Sequence, residues 1–445
     1  MENGSMIAPI STEARAMRKV KIRILPFILI LYIVSFLDRI NIGFAALTMN
    51  PELGITSQQF GLLVGFFFIS YSLFEIPSNL ILHKLGARIW IARILIVWGI
   101  VAALTGLVHT VHQLYFVRFL LGLAEAGYYP GILLYLTDWF RQRDQAQAIA
   151  LLMTGIPISN IVGAPISGLI LDHVHWLGLS SWRWLLILEG LPAVILGALT
   201  YFLLPNRPAE ASFLSKRERD SISVQLKNEA EYKQQGHQIS AAAALIHGRV
   251  WHLAFAALVH GAAFYAVFFW MPQILKTLSG NYSNTVVGFL VMVPYVVGML
   301  TMILISRRSD RKLERRWHVA IPALIAAIAC VILGVGHSLF ISVVLLSIAV
   351  GCICGYLGPF WALPSEFLMG ASAASGIALI TTFVNLGGFV GPYVFGFVRQ
   401  RTDGFYGSMV AAGGVLFVFA SLVLVLRVSA SQLERFPRPS ADDSA

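Results

Sequence analysis

Four ionisable residues stand in stretches where a soluble protein would place only apolar ones. Asp38 and Arg39 are adjacent in the run from Ile24 to about Ala46, and Arg118 and Glu125 share a second run. A charge at the centre of a bilayer costs about 2.5–3.5 kcal/mol even on insertion scales, so such residues are paired or serve ions and solutes. Carboxylates in that setting exchange protons, and guanidiniums capture anions. Glu125 and Asp38 are therefore proton-coupling candidates, and Arg39 and Arg118 are candidates for binding an anion. Arg118 and Glu125 are seven residues apart, which puts them on one helix face about 10 Å apart along its axis. The two runs cross in opposite directions. Asp38 and Arg118 then lie at similar depth, which predicts contact between them, with Arg39 nearer Glu125 or a cavity. The competing reading is a purely structural ion pair between the two helices. Glu75, Asp138, Glu189 and Glu366 also fall in or at the ends of apolar runs. They are expected to bind backbone groups or neighbouring helices.

Other chemistry finds little support. His173 and His175, with Asp172 beside them, form a short metal pattern that lacks the usual spacing. Cys330, Cys352 and Cys354 all lie inside apolar runs and read as core thiols. No nucleophile–base set or cofactor motif stands out, so neither an enzyme nor a cofactor is expected.

The elements that must position these residues follow from composition. The chain has 445 residues, 57% hydrophobic and 12% charged. Soluble chains carry roughly 25% charged residues, so a disordered chain and an ordinary soluble enzyme are excluded. Crossing a bilayer takes about 20 apolar residues. Stretches of that kind occur at 24–47, 58–82, 90–110, 113–136, 145–171, 182–204, 250–275, 284–306, 318–337, 340–364, 371–398 and 406–428. The first follows a basic segment (Arg15, Arg18, Lys19, Lys21, Arg23), is too long for a signal peptide core and is expected to remain as a span. The expected class is an all-α membrane protein of twelve transmembrane helices.

Direction follows from the basic residues. With the N-terminus inside, 26 of the 32 Lys and Arg face the cytoplasm, four face outside, and Arg39 and Arg118 remain within spans. That bias predicts both termini on the cytoplasmic side. It also accounts for the net charge of +10 without nucleic acid, because no single basic face exists. The long polar segment 205–249 reads as a cytoplasmic linker with a surface helix, started by the capping-box pattern Ser215-Lys-Arg-Glu218.

The chain repeats at half its length. Gly61 and Gly288, in Phe-Gly-Leu-Leu-Val and Val-Gly-Phe-Leu-Val, are 227 apart. The same offset carries His83-Lys84-Leu-Gly86-Ala-Arg88 onto Asp310-Arg311-Lys-Leu-Glu-Arg315, and Gly163 falls on Gly391 at 228. This predicts two parallel six-helix halves, 1–204 and 250–428, joined by 205–249 and followed by a cytoplasmic tail, 429–445. Gly155, Ser159, Gly163 and Ser167 recur every four residues, as do Gly387 and Gly391, which predicts close helix packing. Under the offset, Asp38, Arg39, Arg118 and Glu125 fall on Tyr265, Ala266, Leu345 and Cys352. The first half is therefore expected to handle charge. The second would supply polar and aromatic contacts, with Tyr265, Trp361, Thr382 and Asn385 as candidates.

The loop Ser309-Asp310-Arg311 with Arg315-Arg316, and its twin around Lys84, Gly86 and Arg88, resembles the gating signature of the major facilitator superfamily. His83 stands where that signature has Asp. The stretch Tyr32-Ile-Val-Ser-Phe-Leu-Asp38-Arg39-Ile-Asn41-Ile-Gly43, with Phe74-Glu75-Ile-Pro77-Ser-Asn79 and Arg118-Phe-Leu-Leu-Gly122-Leu-Ala-Glu125-Ala-Gly127, resembles the anion:cation symporter family. Phe44-Ala-Ala-Leu-Thr-Met-Asn50 and Trp182-Arg-Trp-Leu-Leu-Ile-Leu-Glu189-Gly-Leu-Pro192 are most similar to its bacterial tartrate and 4-hydroxyphenylacetate permease branch. The resemblance implies that Asp38-Arg39 is the proton and carboxylate pair of span one. It implies that Arg118 and Glu125 are the Arg and protonatable Glu of span four, and that Tyr71 and Asn385 face substrate. A span-five Gln of sugar-acid permeases has no counterpart in Thr154-Gly-Ile-Pro157, which argues against galactonate-like substrates. The expected function is proton-coupled import of a small organic anion by a monomer in a bacterial inner membrane. An exporter or antiporter of the same fold is the alternative.

Overall fold

The computed structural model describes residues 12–235, 247–336, 338–367 and 371–426. The expected tail 429–445 and the stretch 236–246 of the linker lie outside the described residues. Among the described residues the regular structure is helical throughout, and twelve stretches are long and apolar enough to cross a membrane.

In chain order the helices are α1 (Thr12–Leu53), α2 (Ser57–Leu85), α3 (Ala87–Thr105), α4 (Val111–Glu125), α5 (Tyr128–Trp139), α6 (Gln142–Met153), α7 (Gly155–His173) and α8 (Ser181–Leu203). They continue with α9 (Lys216–Gln235), α10 (Gly248–Ser279), α11 (Asn284–Lys312), α12 (Arg316–Leu333), α13 (Leu339–Ala362), α14 (Ala371–Thr402) and α15 (Phe405–Val425). The first span is longer than the apolar run alone suggests. Its basic lead-in winds on the same helix, which ends only before Gly54 at φ 64°. The fourth span is two helices. Gly127 adopts φ 83°, a left-handed conformation that interrupts the helix two residues after Glu125. A Cβ at Gly127 would stand 2.4 Å from Ser78 Oγ, so space as well as backbone demands glycine.

By contacts the chain divides into two compact units. The first comprises Met1–Ile55, Phe66–Gly236 and Asn281–Met292; the second comprises Thr56–Gly65, His237–Gly280 and Val293–Ala445. In the first unit α1 packs on α7 and α8, and α3 packs on α8. The small residues of α7 make the first of these contacts. A side chain at Gly155 would meet Tyr32, and one at Gly163 would meet Leu37 and Ile40, while Ser159 and Ser167 are wholly buried. Asp172, at the end of α7, accepts hydrogen bonds from the backbone N–H groups of Asn284 (3.1 Å) and Thr285 (2.7 Å) at the start of α11. The Asn284 amide and the Thr285 hydroxyl donate to it as well. Asp172 is thus a helix cap rather than part of a metal set with His173 and His175.

Helix α9 begins with the expected capping box. Ser215 N–H donates to Glu218 Oε2 (2.8 Å), and Glu218 N–H donates to Ser215 Oγ. Lys19 on α1 donates to the same carboxylate at 2.8 Å, which fastens α9 to α1. In the second unit α10 packs on α14 and α15, and α12 packs on α13 and α15. Gly387 and Gly391 of α14 lie directly against the backbone of α10, as the four-residue glycine spacing requires.

Candidate functional site

The charged cluster assembles in the first unit from α1, α3 and α4. Asp38 and Arg39 are adjacent on α1, so their side chains leave the helix about 100° apart. Arg39 turns toward α4 and pairs with Glu125 through Nη2 and Oε1. Its guanidinium also lies near three rings, Phe36 (5.1 Å), Phe67 (5.2 Å) and Tyr71 (5.7 Å). Rings in this arrangement hold a cation in place by their quadrupoles. Tyr71, expected to face substrate, is thereby placed beside Arg39. Glu125 is the last residue of α4 and is 1% exposed.

Asp38 turns the other way. Trp98 Nε1 on α3 donates to its Oδ2 at 2.5 Å, and Asn41 Nδ2, one turn along α1, donates to its Oδ1 at 2.9 Å. The expected Asp38–Arg118 contact is not a hydrogen bond. Arg118 stands within electrostatic reach of both Asp38 and Glu125, but donors from α1 and α3 occupy the aspartate oxygens. The reason is local: the indole of Trp98 and the amide of Asn41 each take one of the two oxygens.

Arg118 is the least satisfied member. It is 3% exposed, yet its Nε and Nη2 have no hydrogen-bond partner among the described residues. Those two N–H groups form the side edge of the guanidinium, which binds a carboxylate through two parallel hydrogen bonds. Tyr128, the first residue of α5, is 1% exposed, and its hydroxyl also lacks a partner among the described residues. It stands within electrostatic reach of Glu125 and Arg39, and its ring packs on Trp98 at 5.8 Å. Two arginines and two carboxylates sum to zero formal charge when both acids are ionised. Protonating one leaves the cluster at +1, a charge suited to a carboxylate.

The remaining predicted residues are spread more widely. Tyr265 on α10 and Asn385 on α14 are buried in the second unit, and Trp361 on α13 is half-buried against Phe360 (5.7 Å). Tyr265 packs on Phe264 and Phe269. Thr382 spends its hydroxyl on the carbonyl of Ala378 in its own helix. In the signature loops Gly86 takes φ 86° between α2 and α3, where the Asn206 side chain accepts from Arg88 N–H at 3.0 Å. Lys84 and Arg311 are exposed, and Asp310 pairs with Arg315 in the turn after α11. The side chains of His83 and Glu366 lie outside the described residues. Sequence reasoning does not single out Trp98 or Tyr128 as site residues, and Asn41 enters it only as a letter in a motif. The spacing of Asn41, three after Asp38, is the one signal that could have found it.

The profile of the Major Facilitator Superfamily matches residues 28–392. A relative from Agrobacterium vitis, named "Putative tartrate transporter", is 44% identical over 94% of this chain and 96% of its own. Another from Acinetobacter baumannii, named "Quinolone resistance transporter", is 37% identical over 93% of each chain. Among solved structures, the xylose transporter XylE from E. coli superposes with TM-score 0.74 over 92% of this chain and 98% of its own, at 14% identity, which shows a common fold. With twelve helices among the described residues long and apolar enough to cross a membrane, a buried set of ionisable residues in the first unit and these matches along its length, this multi-pass membrane transporter belongs to the Major Facilitator Superfamily.

Proposed function

We propose that the protein is a proton-coupled importer of a small organic anion, a carboxylate such as tartrate or an aromatic acid. The observation that carries this reading is the unpartnered side edge of Arg118, buried within electrostatic reach of a buried Glu125. An orphaned buried donor is expensive to leave unmade, so its retention points to a partner that comes and goes. A carboxylate satisfies both N–H groups at once. Arg39 supplies a second cation, and the Tyr128 hydroxyl can meet an oxygen of the anion. Glu125 holds Arg39 in the empty site, and protonating Glu125 frees Arg39 for the substrate. Proton and anion then enter together, and each favours the other. Tyr71 shapes the Arg39 side of the site. Tyr265, Trp361 and Asn385 contribute polar and aromatic contacts from the second six-helix half. The halves, 1–204 and 250–428, alternate in exposing the site, and the loops at Lys84, Gly86, Arg88, Asp310 and Arg311 gate that motion. Both termini face the cytoplasm, as the positive-inside bias supports, and the protein acts as a monomer.

A second reading is an exporter or antiporter of an organic metabolite with the same fold, and the relative named "Quinolone resistance transporter" favours it. Purified protein in liposomes separates the two. Under an inward proton gradient, labelled tartrate or another carboxylate from a panel should accumulate inside. Collapse of the gradient should leave only equilibration. Outward movement of solute driven by inward protons, or uptake indifferent to the gradient, overturns the import reading.

A further inference from the structure

The first unit holds another buried carboxyl that the anion site does not use. Glu189, on α8, is 3% exposed. Its Oε1 accepts a hydrogen bond from Ser167 Oγ on α7 at 2.7 Å. Its Oε2 is buried and has no hydrogen-bond partner among the described residues. The helices packed against α8 are α1, α3 and α7, and the one charged group facing Glu189 from them among the described residues is Asp38, itself an acid. Asn41 connects the two. Its amide donates to Asp38 at 2.9 Å, and its side chain also lies against Glu189.

The two acids are treated differently by their surroundings. Asp38 accepts from two N–H donors and is within electrostatic reach of the two guanidiniums of Arg118 and Arg39. Glu189 accepts a hydrogen bond from the Ser167 hydroxyl, has the Asn41 amide beside it and, among the described residues, has no cation in reach. Acids that share a site do not both ionise readily.

We propose that Asp38, Asn41 and Glu189 form a second proton-holding unit, with the proton resting on Glu189 while Asp38 is ionised. The O–H bond of Glu189 is the one that breaks and re-forms, its proton passing to and from water admitted during the transport cycle. The participation of that proton in coupling rests on the symport reading above. Its location on Glu189 does not.

Infrared difference spectroscopy on the purified full-length protein in lipid tests the location. A buried protonated carboxyl gives a carbonyl stretch that shifts in heavy water. The band should vanish in Glu189→Gln and survive in Glu125→Gln. Ser167→Ala, which removes only the hydroxyl donor, should shift its frequency, and this arm decides the matter if Glu189→Gln does not fold. A band untouched by both Glu189→Gln and Ser167→Ala overturns the assignment. For coupling, the reversal potential of anion uptake in liposomes should show one proton fewer per anion in Glu189→Gln. A wild-type reversal potential overturns Glu189 as a coupling site. If Glu125→Gln keeps the wild-type number of protons per anion while the band behaves as stated, the coupling role of Glu125 fails and the location of the proton on Glu189 stands.

Discussion

Replacing Glu125 by Gln should make the protein bind its anion more tightly at alkaline pH and should remove the pH dependence of binding. Arg118 and Glu125 lie seven residues apart on α4. At 1.5 Å per residue, a carboxylate seated on the Arg118 edge is about 10 Å from the Glu125 charge. With an effective dielectric constant near 20, two like charges at about 10 Å repel by about 1.7 kcal/mol. Every 1.4 kcal/mol is about tenfold in affinity, so losing the repulsion should tighten binding about 20-fold. Release of Arg39 from its ion pair with Glu125 adds to this gain. The substitution also has a folding cost. Breaking a buried pair by removing one charge destabilises by about 3–5 kcal/mol, and here the Gln oxygen and three aromatic rings around Arg39 offset part of it. Titration calorimetry on monodisperse protein, at one acid and one alkaline pH, provides the measurement. Wild type should bind more tightly at the acid value, and the variant should bind equally at both. A variant that folds but binds no better than wild type at the alkaline value refutes the electrostatic coupling of Glu125 to the anion.

Three further expectations follow from other contacts. Arg118→Lys keeps the charge but loses the two-pronged edge, so affinity should fall by about one to two powers of ten, from the 1.5–3 kcal/mol typical of a hydrogen bond to a charged group; calorimetry on the folded variant reads this. Gly122→Ala should destabilise the protein by about 1–3 kcal/mol or more, because the added Cβ would sit 2.1 Å from the carbonyl oxygen of Phe67 on α2, and a thermal melt in detergent checks it. Finally, Lys19 and the Ser215 N–H hold the Glu218 carboxyl below its ordinary range. A lowered folded-state value contributes stability above the ordinary carboxylate range and loses it as pH falls through the folded value. The attachment of α9 to α1 should therefore hold at neutral pH and loosen in acid. Hydrogen exchange in α9 should rise as pH drops below the ordinary carboxylate range, after correction for intrinsic rates, and Glu218→Gln should show the loosened state at neutral pH. Protection of α9 that is unchanged by the substitution contradicts that role for Glu218.

The twelve spans are legible in the sequence because membrane insertion is decided locally. A run of about 20 apolar residues must close its own backbone hydrogen bonds, and a helix is how a single segment does so. Helix ends are less legible. Nothing in an apolar count says that the basic residues from Arg15 to Arg23 ride on the first helix, or that span four breaks at Gly127. The break depends on the close approach of Ser78, which belongs to another helix.

The site divides in the same way. Asp38, Arg39, Arg118 and Glu125 announce themselves by type, since charge in an apolar run is costly wherever it occurs. Helix periodicity puts Arg118 and Glu125 on one face. Depth along the two runs already puts Arg39 near Glu125, with which it pairs. The partners of Asp38 are decided by how α1 and α3 pack, and they are an indole 60 residues away and an amide one turn away. A tryptophan and an asparagine in a membrane helix carry no sign of such a role, because each becomes a donor only when a buried oxygen is brought to it. The same holds for the bare edge of Arg118 and the bare oxygen of Glu189. Sequence by itself determined the residues that cannot remain unsatisfied. Tertiary structure determined which of them are satisfied by the protein and which have no partner among the described residues, because hydrogen bonds act over about 3 Å and that proximity is created by packing between helices.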